Sequence, residues 1–288
     1  PKPATAGLCE PSFPDSTVRD VGDNPRDLAI ADLDADGIPD LVVVEFRPLG
    51  ISVLKGRGDG TFGAEEHYDI GEASYNVAVG DLDSDGHKDV IVTMDEVAHV
   101  GVFWGRSDGT LDSLETYPAV GVVSVNVQDL DGDGRDDVVF TTDRTTLVSV
   151  IWGDGTRNLL QRVDYPMPVD PFRIAVGDMD GDGLPDLAVS GVSPSGGDQN
   201  VVFSCRNLGR RQFGDPAQAV VCPLVPSRLT FGDLNGDRYA DLAAVGASSS
   251  GISVIACLGI GDGRFTAYPV SVVGRSPTSI AITDLNND

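Results

Sequence analysis

The 288-residue sequence predicts an all-β protein, a β-propeller of four-stranded blades, and three observations lead to that prediction. An aspartate-rich nonapeptide recurs at residues 32, 81, 129, 178 and 233, so that its starts lie 49, 48, 49 and 55 residues apart. Short apolar segments typical of strands flank every copy, and no segment shows the 3.6-residue period of an amphipathic helix. A repeat of about 50 residues is typical of sheets arranged around an axis.

The first strand of each unit is predicted immediately before the nonapeptide, where large and small residues alternate. Alternation with a period of two residues indicates a strand with two different faces. Its small side chains suit an innermost strand, because several backbones approach one another near the axis. The predicted segments are residues 28–31, 77–80, 174–177 and 280–282.

The other three strands of each unit are predicted after the nonapeptide. An uninterrupted apolar run indicates a second strand that is covered on both faces. A third strand runs into a turn of glycine and aspartate, and a fourth, outer strand follows that turn. The predicted second strands are residues 41–44, 90–92, 138–140, 187–189 and 242–245, the third strands are residues 51–55, 100–104, 147–152, 201–205 and 252–258, and the fourth strands include residues 67–70 and 116–119.

The number of blades is predicted from the five complete units and a sixth that begins at Asp284. Residues 17–21 resemble a lone outer strand that would complete the last blade. We therefore predict an N-terminal tail over residues 1–16 and a propeller over residues 17–288 that is incomplete at its C-terminal end. We expect seven blades in the full protein, with six or eight as alternatives.

The nonapeptide DLDADGIPD (32–40) has the composition of a cation-binding loop. An EF-hand loop requires a glutamate at its twelfth position, at the start of a helix. The twelfth residues here are apolar and belong to predicted strands, and they are Val43, Val92, Phe140, Val189 and Ala244. The sequence therefore excludes an EF-hand.

The recurring pattern D-x-[D/N]-x-D-G-x-x-D predicts a different calcium-binding loop. Calcium takes six to eight oxygen ligands, whereas zinc prefers histidine and cysteine and magnesium demands stricter geometry. A set of polar turns without metal would leave about four like charges unneutralised in each loop. The predicted ligands, with the residue at position 7 contributing its main-chain carbonyl, are Asp32, Asp34, Asp36, Ile38, Asp40, Asp81, Asp83, Asp85, His87, Asp89, Asp129, Asp131, Asp133, Arg135, Asp137, Asp178, Asp180, Asp182, Leu184, Asp186, Asp233, Asn235, Asp237, Tyr239 and Asp241.

The five loops are not predicted to bind calcium equally. Position 6 is a glycine in the first four loops, which permits the positive φ of a tight turn. In the fifth loop Asn235 replaces an aspartate, which is an ordinary exchange of one oxygen ligand for another. Arg238 replaces the glycine, so we predict loss of the preferred turn conformation, a cation near the site and weaker calcium binding. A partial sixth site would contain Asp284, Asn286 and Asp288.

Bulk composition narrows the class of partner. A formal net charge of −25 argues against nucleic acid and anionic membranes, and no apolar run is long enough to predict membrane insertion. The start at Pro1 fits a processed protein that is secreted or otherwise extracytoplasmic, at the cell surface or in the periplasm. Cys9, Cys205, Cys222 and Cys257 leave two alternatives open, disulfides or buried thiols. Cys205 and Cys257 occupy equivalent positions in neighbouring units, which disfavours a bond between them.

These motifs resemble a known repeat family. The pattern D-x-D-x-D-G-x-x-D between two strands, followed by GRGDGTF (56–62) or GIGDGRF (259–265), is similar to the FG-GAP/VCBS repeats of integrin α-subunit-like propellers. The resemblance covers about residues 17–288. It implies a seven-bladed propeller used in adhesion and recognition, with calcium in the loop that joins the first two strands of a blade.

Other conspicuous residues are interpreted as structural. Arg57-Gly58-Asp59 spells RGD but coincides with the turn of the repeat, and we interpret it as that turn. Trp104 and Trp152 stand at the ends of third strands, where packing at blade margins is favoured over stacking on sugars. The three histidines, His67, His87 and His99, lie at unrelated positions and do not predict a metal site.

The sequence favours a binding function over catalysis. It contains neither a G-x-S-x-G nor an HExxH motif, and nearly every conspicuous carboxylate belongs to a predicted calcium loop. We therefore expect an extracellular binding or adhesion module, not an enzyme, with structural calcium and a protein or glycan ligand. A lectin and a calcium-dependent polysaccharide lyase are the alternatives. The expected ligand surface is formed by loops between second and third strands, chiefly residues 190–200 and 248–251.

Overall fold

The computed structural model describes residues 21–94, 99–119, 121–192, 200–222, 224–248, 251–267, 271–272 and 279–282. Within these ranges the regular secondary structure is entirely β, which confirms the predicted fold class. No helix in the described part of the chain is long and apolar enough to cross a bilayer. The predicted N-terminal tail lies outside the described residues, as do residues 17–20 of the predicted lone outer strand.

The strands form five antiparallel sheets, and each sheet is built from consecutive strands of the chain. In the fifth sheet the short strand β21 also pairs with β19. The sheets are β1 (Asp23–Ala31), β2 (Asp40–Arg47), β3 (Gly50–Gly56) and β4 (Phe62–Asp69); β5 (Val77–Gly80), β6 (Asp89–Thr93), β7 (His99–Phe103) and β8 (Glu115–Pro118); β9 (Val122–Gln128), β10 (Asp137–Thr142), β11 (Leu147–Ile151) and β12 (Arg162–Pro166); β13 (Asp170–Gly177), β14 (Asp186–Val192), β15 (Asn200–Cys205) and β16 (Ala217–Cys222); and β17 (Leu224–Gly232), β18 (Asp241–Ser248), β19 (Gly251–Gly259), β20 (Phe265–Ala267) and β21 (Ser271–Val272).

The predicted second and third strands are confirmed in all five units. Strands β6 and β10 are buried along their whole length, as an apolar run covered on both faces requires. The outer strands β8 and β12 are mostly exposed. One strand prediction is wrong, because residues 280–282 are described but are not part of a strand. A strand requires a hydrogen-bonded neighbour, and none of the described residues pairs with this segment.

The sheets pack face to face through small residues at the ends of innermost strands. A side chain at Gly80 would collide with Val127 of the next innermost strand, and one at Gly177 would collide with Phe231. Ile282 lies against Gly232 in the same way, so residues 279–282 continue the series beyond the fifth sheet. These glycines therefore leave room for a side chain of the neighbouring innermost segment.

The five innermost strands surround a common cavity of about 870 Å³. Strands β1, β5, β9, β13 and β17 line it, together with residues 279–281. Arg228 of β17 forms an ion pair with Asp27 of β1, which connects the fifth sheet to the first. Arg173 of β13 donates to the carbonyls of Val123 and Ser227 on either side of it, at 2.9 and 2.8 Å. The first strands of all five sheets thus face one cavity.

Candidate metal sites

Each acidic nonapeptide joins the first strand of its sheet to the second, which is the position predicted for the calcium loops. The carboxylate at position 1 shapes the loop by accepting main-chain N–H groups. In the first loop Asp32 accepts from Asp36 at 3.1 Å through one oxygen and from Gly37 at 2.8 Å through the other. Asp81, Asp129, Asp178 and Asp233 each hold their own loops through two or more such bonds. The loops are therefore wrapped around their first aspartate.

Left-handed backbone conformations occur at two positions of every loop. Position 6 has the expected positive φ, from 84° to 89°, at Gly37, Gly86, Gly134 and Gly183. Arg238 keeps this conformation with φ of 75°, so the prediction that the fifth loop loses it is wrong. Its N–H still donates to Asp233 at 2.9 Å, and that bond holds an arginine in a region that favours glycine.

Position 4 also adopts a positive φ, which the sequence reasoning did not identify. Ala35 and Ser84 have φ of 57° and 58°, and a glycine stands at this position in the other three loops. The repeated glycine was the available signal. It was obscured because alanine and serine carry a Cβ and rarely adopt this conformation.

The aspartate at position 9 fastens each loop to the end of the third strand. Asp137 is fully buried and accepts from Leu130 at 2.8 Å and from Gly153 at 2.6 Å. Asp40, Asp89, Asp186 and Asp241 make the same two kinds of bond in their own sheets. Position 9 was predicted only as a metal ligand, and the structure gives it this cross-strand role as well.

Burial and excess negative charge raise the pKa of several position 9 carboxyls. Desolvation raises the pKa of Asp89 to about 7, and Asp83 and Asp85 contribute by repulsion. Asp137 and Asp186 have pKa values of about 6 for the same reasons. A divalent cation in the loop would favour their ionised forms.

The predicted ligands come together in the first four loops. In each of these loops three carboxylates offer oxygen atoms that all lie within 4.8 Å of one another. The groups are Asp32, Asp34 and Asp36; Asp81, Asp83 and Asp85; Asp129, Asp131 and Asp137; and Asp178, Asp180 and Asp186. The described part of the fifth loop has no such group of three, because Asn235 stands at position 3.

The remaining predicted ligands have more limited outcomes. At position 7 the Ile38 side chain packs on Gly58, Leu184 on Gly209 and Tyr239 on Gly261, so these side chains cover the turn after the third strand. Their carbonyls, and those of His87 and Arg135, remain predicted ligands. Asp284, Asn286 and Asp288 lie outside the described residues.

Basic side chains pair with the aspartate at position 3 in four loops. Arg157, from the third sheet, lies 2.8 Å from Asp83 in the second sheet. Arg211, from the fourth sheet, lies 2.7 Å from Asp131 in the third. Asp34 and Asp180 pair instead with Lys55 and Arg206 of their own sheets. These cations neutralise one carboxylate of each group and leave the loop with a net negative charge.

The residues present fit calcium by their donor chemistry. The four groups consist of carboxylate oxygens, which a hard cation prefers, and the flexible geometry of calcium tolerates their different combinations of positions. Positions 1, 3, 5 and 9 would hold the ion. A bound ion would neutralise the negative charge of the loop carboxylates and would take no part in a reaction.

The two tryptophans serve the packing between sheets, as expected. Trp104 is fully buried and Trp152 nearly so, which leaves no exposed ring face for a sugar. The Arg157 guanidinium lies 4.8 Å from the centre of the Trp104 ring, and Arg211 lies 5.4 Å from that of Trp152. The same two arginines therefore contact both an acidic loop and a tryptophan of the preceding sheet.

The RGD tripeptide forms the turn of the repeat. Asp59 accepts from the N–H and the hydroxyl of Thr61 at 2.9 and 2.6 Å, and Asp108 and Asp154 make the same contacts with Thr110 and Thr156. Its interpretation as a turn is confirmed.

The cysteines and the expected ligand loops are only partly described. Cys205 is a buried thiol 3.8 Å from the sulfur of Met167, and Cys257 is buried in a different cluster. Cys9, residues 193–199 and residues 249–250 lie outside the described ranges.

Comparison with known proteins identifies one family. The model of the FG-GAP-like repeat matches residues 32–92, 81–140 and 129–189, which together span more than half of the chain. No curated protein matches the sequence.

Solved structures resemble the chain only distantly. The Tc holotoxin pore of Photorhabdus luminescens is 19% identical with a TM-score of 0.46, and the match covers 88% of this chain and 12% of that one. The biofilm matrix protein Bap1 of V. cholerae is 18% identical with a TM-score of 0.46, covering 85% and 38%. BBS1N, solved in complex with ARL6DN, is 13% identical with a TM-score of 0.46, covering 84% and 79%. The chain thus spans a minor part of the first two.

Proposed function

The chain belongs to the FG-GAP-like repeat family, and on that basis we propose that it is an extracellular binding module whose blades are stabilised by calcium. The proposal rests chiefly on one observation, the four groups of carboxylate oxygens at equivalent places in four successive sheets. A chain with a net charge of −25 concentrates charge in these loops, and bound calcium relieves the repulsion.

The ligand of the module is a protein or a glycan. The strongly acidic chain disfavours polyanions, and the repeated carboxylates are assigned to calcium and to loop structure, not to catalysis. In this proposal calcium is structural, and the binding surface lies on loops that the calcium-stabilised blades hold in place.

Calcium removal tests the structural part of the proposal. Thermal unfolding is recorded in excess calcium and in EGTA, with magnesium at the same ionic strength as the control. Calcium at 100 times its Kd adds about 2.7 kcal/mol per occupied site, so we expect a melting temperature many degrees higher with calcium. Equal melting temperatures in calcium and EGTA would contradict the proposal.

Screening for ligands tests the binding part. The calcium-saturated chain is applied to a glycan array, and every hit is then incubated with the chain and examined for unsaturated sugar products. Binding without turnover supports a lectin-type module, and turnover identifies a lyase. If no glycan binds, capture of surface proteins that depends on calcium would favour a protein ligand, and its absence as well would contradict a binding module.

A further inference from the structure

The first sheet contains a second cluster of metal-ligating side chains, separate from the acidic loops. Glu45 on β2 and Glu65 and His67 on β4 offer ligand atoms that all lie within 4.8 Å of one another. Strand register explains the cluster. On the intervening strand β3, Gly50 pairs with Glu45 of β2, and Ser52, two residues further on, pairs with His67 of β4. Directly opposed residues, and residues two apart, point to the same face of a sheet.

Glu45 carries a buried oxygen that is directed into this cluster. The residue is fully buried, and its Oε1 accepts from the N–H of Gly22 at 2.8 Å. Its Oε2 is buried and accepts no hydrogen bond from any described residue. A buried carboxylate oxygen without a partner is costly, so this oxygen points to a cation that the site would bind.

The separation of two of the ligand atoms fits a shared metal ion better than a hydrogen bond. His67 Nδ1 lies 3.6 Å from Glu45 Oε2, beyond the usual hydrogen-bond range. Two ligands about 2.0–2.1 Å from a tetrahedral ion lie roughly 3.4 Å apart. The observed distance therefore matches an ion placed between them.

The surrounding residues hold the cluster in this arrangement. Gly50 lies between β2 and β4, and a Cβ at this position would collide with the His67 ring, so glycine lets the imidazole lie across β3 towards Glu45. Ser52 Oγ donates to Glu65 Oε1 at 2.6 Å and orients that carboxylate. Such contacts around the ligands fix the geometry of a metal site.

We propose that Glu45, Glu65 and His67 bind a divalent transition-metal ion, with zinc the best match. An imidazole nitrogen with two carboxylates suits zinc, whereas calcium takes oxygen ligands only. The His67 side chain is 29% exposed and Glu65 is exposed, so the ion has a solvent-facing position. At the place of Glu45 the other sheets carry Met94, Thr142, Gly191 and Gly246, and the site therefore belongs to the first sheet alone.

The sequence analysis found no relation between the three histidines. The structure brings His67 together with two glutamates instead, Glu65 on its own strand and Glu45 on a strand two positions away in the sheet.

Cobalt serves as the spectroscopic probe for the test. The full chain is first saturated with calcium so that the acidic loops are occupied, and Co²⁺ is then titrated. A site of low coordination number containing imidazole gives strong visible bands, whereas six-coordinate oxygen sites give weak ones. We expect the strong absorption to saturate at one Co²⁺ ion per chain and to disappear when one equivalent of Zn²⁺ is added.

Variants assign the bound ion to the cluster. Glu45→Gln and His67→Asn are expected to weaken cobalt binding by about tenfold or more. His99→Gln, on β7 and outside the cluster, is the matched control and should bind like the parent chain. Circular dichroism and melting in calcium verify that each variant is folded, and Glu65→Gln, at an exposed position, replaces any variant that is not.

Two outcomes would overturn the proposal. If the calcium-saturated chain develops no strong band, the cluster is an ordinary pair of a histidine and glutamates. If His67→Asn binds cobalt as tightly as the parent, the ion lies elsewhere. Neither outcome affects the proposed calcium sites, which are measured by melting in EGTA.

Discussion

The second and fifth acidic loops follow one pattern but differ in their surroundings. In the second loop Leu82 is buried in a cluster that includes Leu159 of the third sheet, and Asp83 pairs with Arg157 of that sheet. In the fifth loop the equivalent leucine, Leu234, is 45% exposed. In the second loop, residues outside the nonapeptide therefore complete the loop, and the following sheet supplies them.

The contacts of Arg157 show how this completion works. Besides pairing with Asp83 it lies over the Trp104 ring, and its carbonyl accepts from the Tyr117 hydroxyl at 3.0 Å. Arg211 repeats these contacts one sheet later, with Tyr165 donating to its carbonyl at 2.8 Å. Loop stability is therefore coupled to the packing between sheets.

Removing the aspartate at position 9 should have the largest effect on stability, because in both loops this side chain accepts hydrogen bonds from two main-chain N–H groups. In calcium, we expect Asp89→Ala in the second loop to lower the free energy of unfolding by about 3 kcal/mol or more, since the buried N–H groups of Leu82 and Gly105 lose their acceptor and the ion loses a ligand. Asp241→Ala should cost less, because its loop is predicted to bind calcium more weakly. Urea unfolding measures both. Exposed Asp154→Ala is the control, and equal losses in all three would contradict the comparison.

The pH dependence of stability without calcium should come from the second to fourth loops and not from the fifth. Asp89, Asp137 and Asp186 have pKa values of about 6 to 7 in the folded state, above the ordinary 3.8. The unfolded chain then binds fewer protons than the folded chain as pH rises from about 4 to 7, so without calcium these groups lower stability across that range. In the fifth loop the pKa of Asp233 is lowered instead, chiefly by the hydrogen bond from the main chain of Arg238. Asp233 is therefore ionised in both the folded and the unfolded chain over most of this pH range, and it does not lower stability.

Urea unfolding in EGTA at several pH values tests this dependence. We expect stability to fall from pH 5 to pH 7.5 without calcium and not to fall in saturating calcium, because the ion binds the ionised carboxylates. A rise across the same range in EGTA would show that metal-free loops are not strained by their charge.

A reciprocal substitution at position 6 should have the smallest effect of the three. Arg238→Gly removes a left-handed arginine and should stabilise the fifth loop by roughly 1 kcal/mol. Gly183→Ala should destabilise the fourth loop by a similar amount, since its φ is 89° and a Cβ there would meet nothing within 4 Å. Thermal unfolding gives both values, and calorimetric titration shows whether Arg238→Gly also tightens calcium binding. If neither variant changes stability, position 6 tolerates either residue. Any difference in stability between the fifth loop and the others would then come from Asn235 and from packing.

Much of the fold could be predicted from local patterns. The apolar runs placed β6 and β10, and the alternation of large and small residues placed β5 and β13, because a strand's periodicity is written in consecutive residues. The same local reasoning failed at residues 280–282, where the pattern is present but no described strand pairs with it. It also failed at Arg238, because hydrogen bonds within the loop overcame the residue's own conformational preference.

The repeat, the order of the strands and the aspartates of each loop could be predicted without a structure, since these depend on spacing along the chain. Three contacts could be seen only in the folded chain: Asp137 accepts from Gly153, Arg157 pairs with the loop of another sheet, and Glu45 lies beside His67. Those contacts join residues that are 16, 74 and 22 positions apart. Strand register and the stacking of sheets create such contacts, and neither is written in any short stretch of sequence.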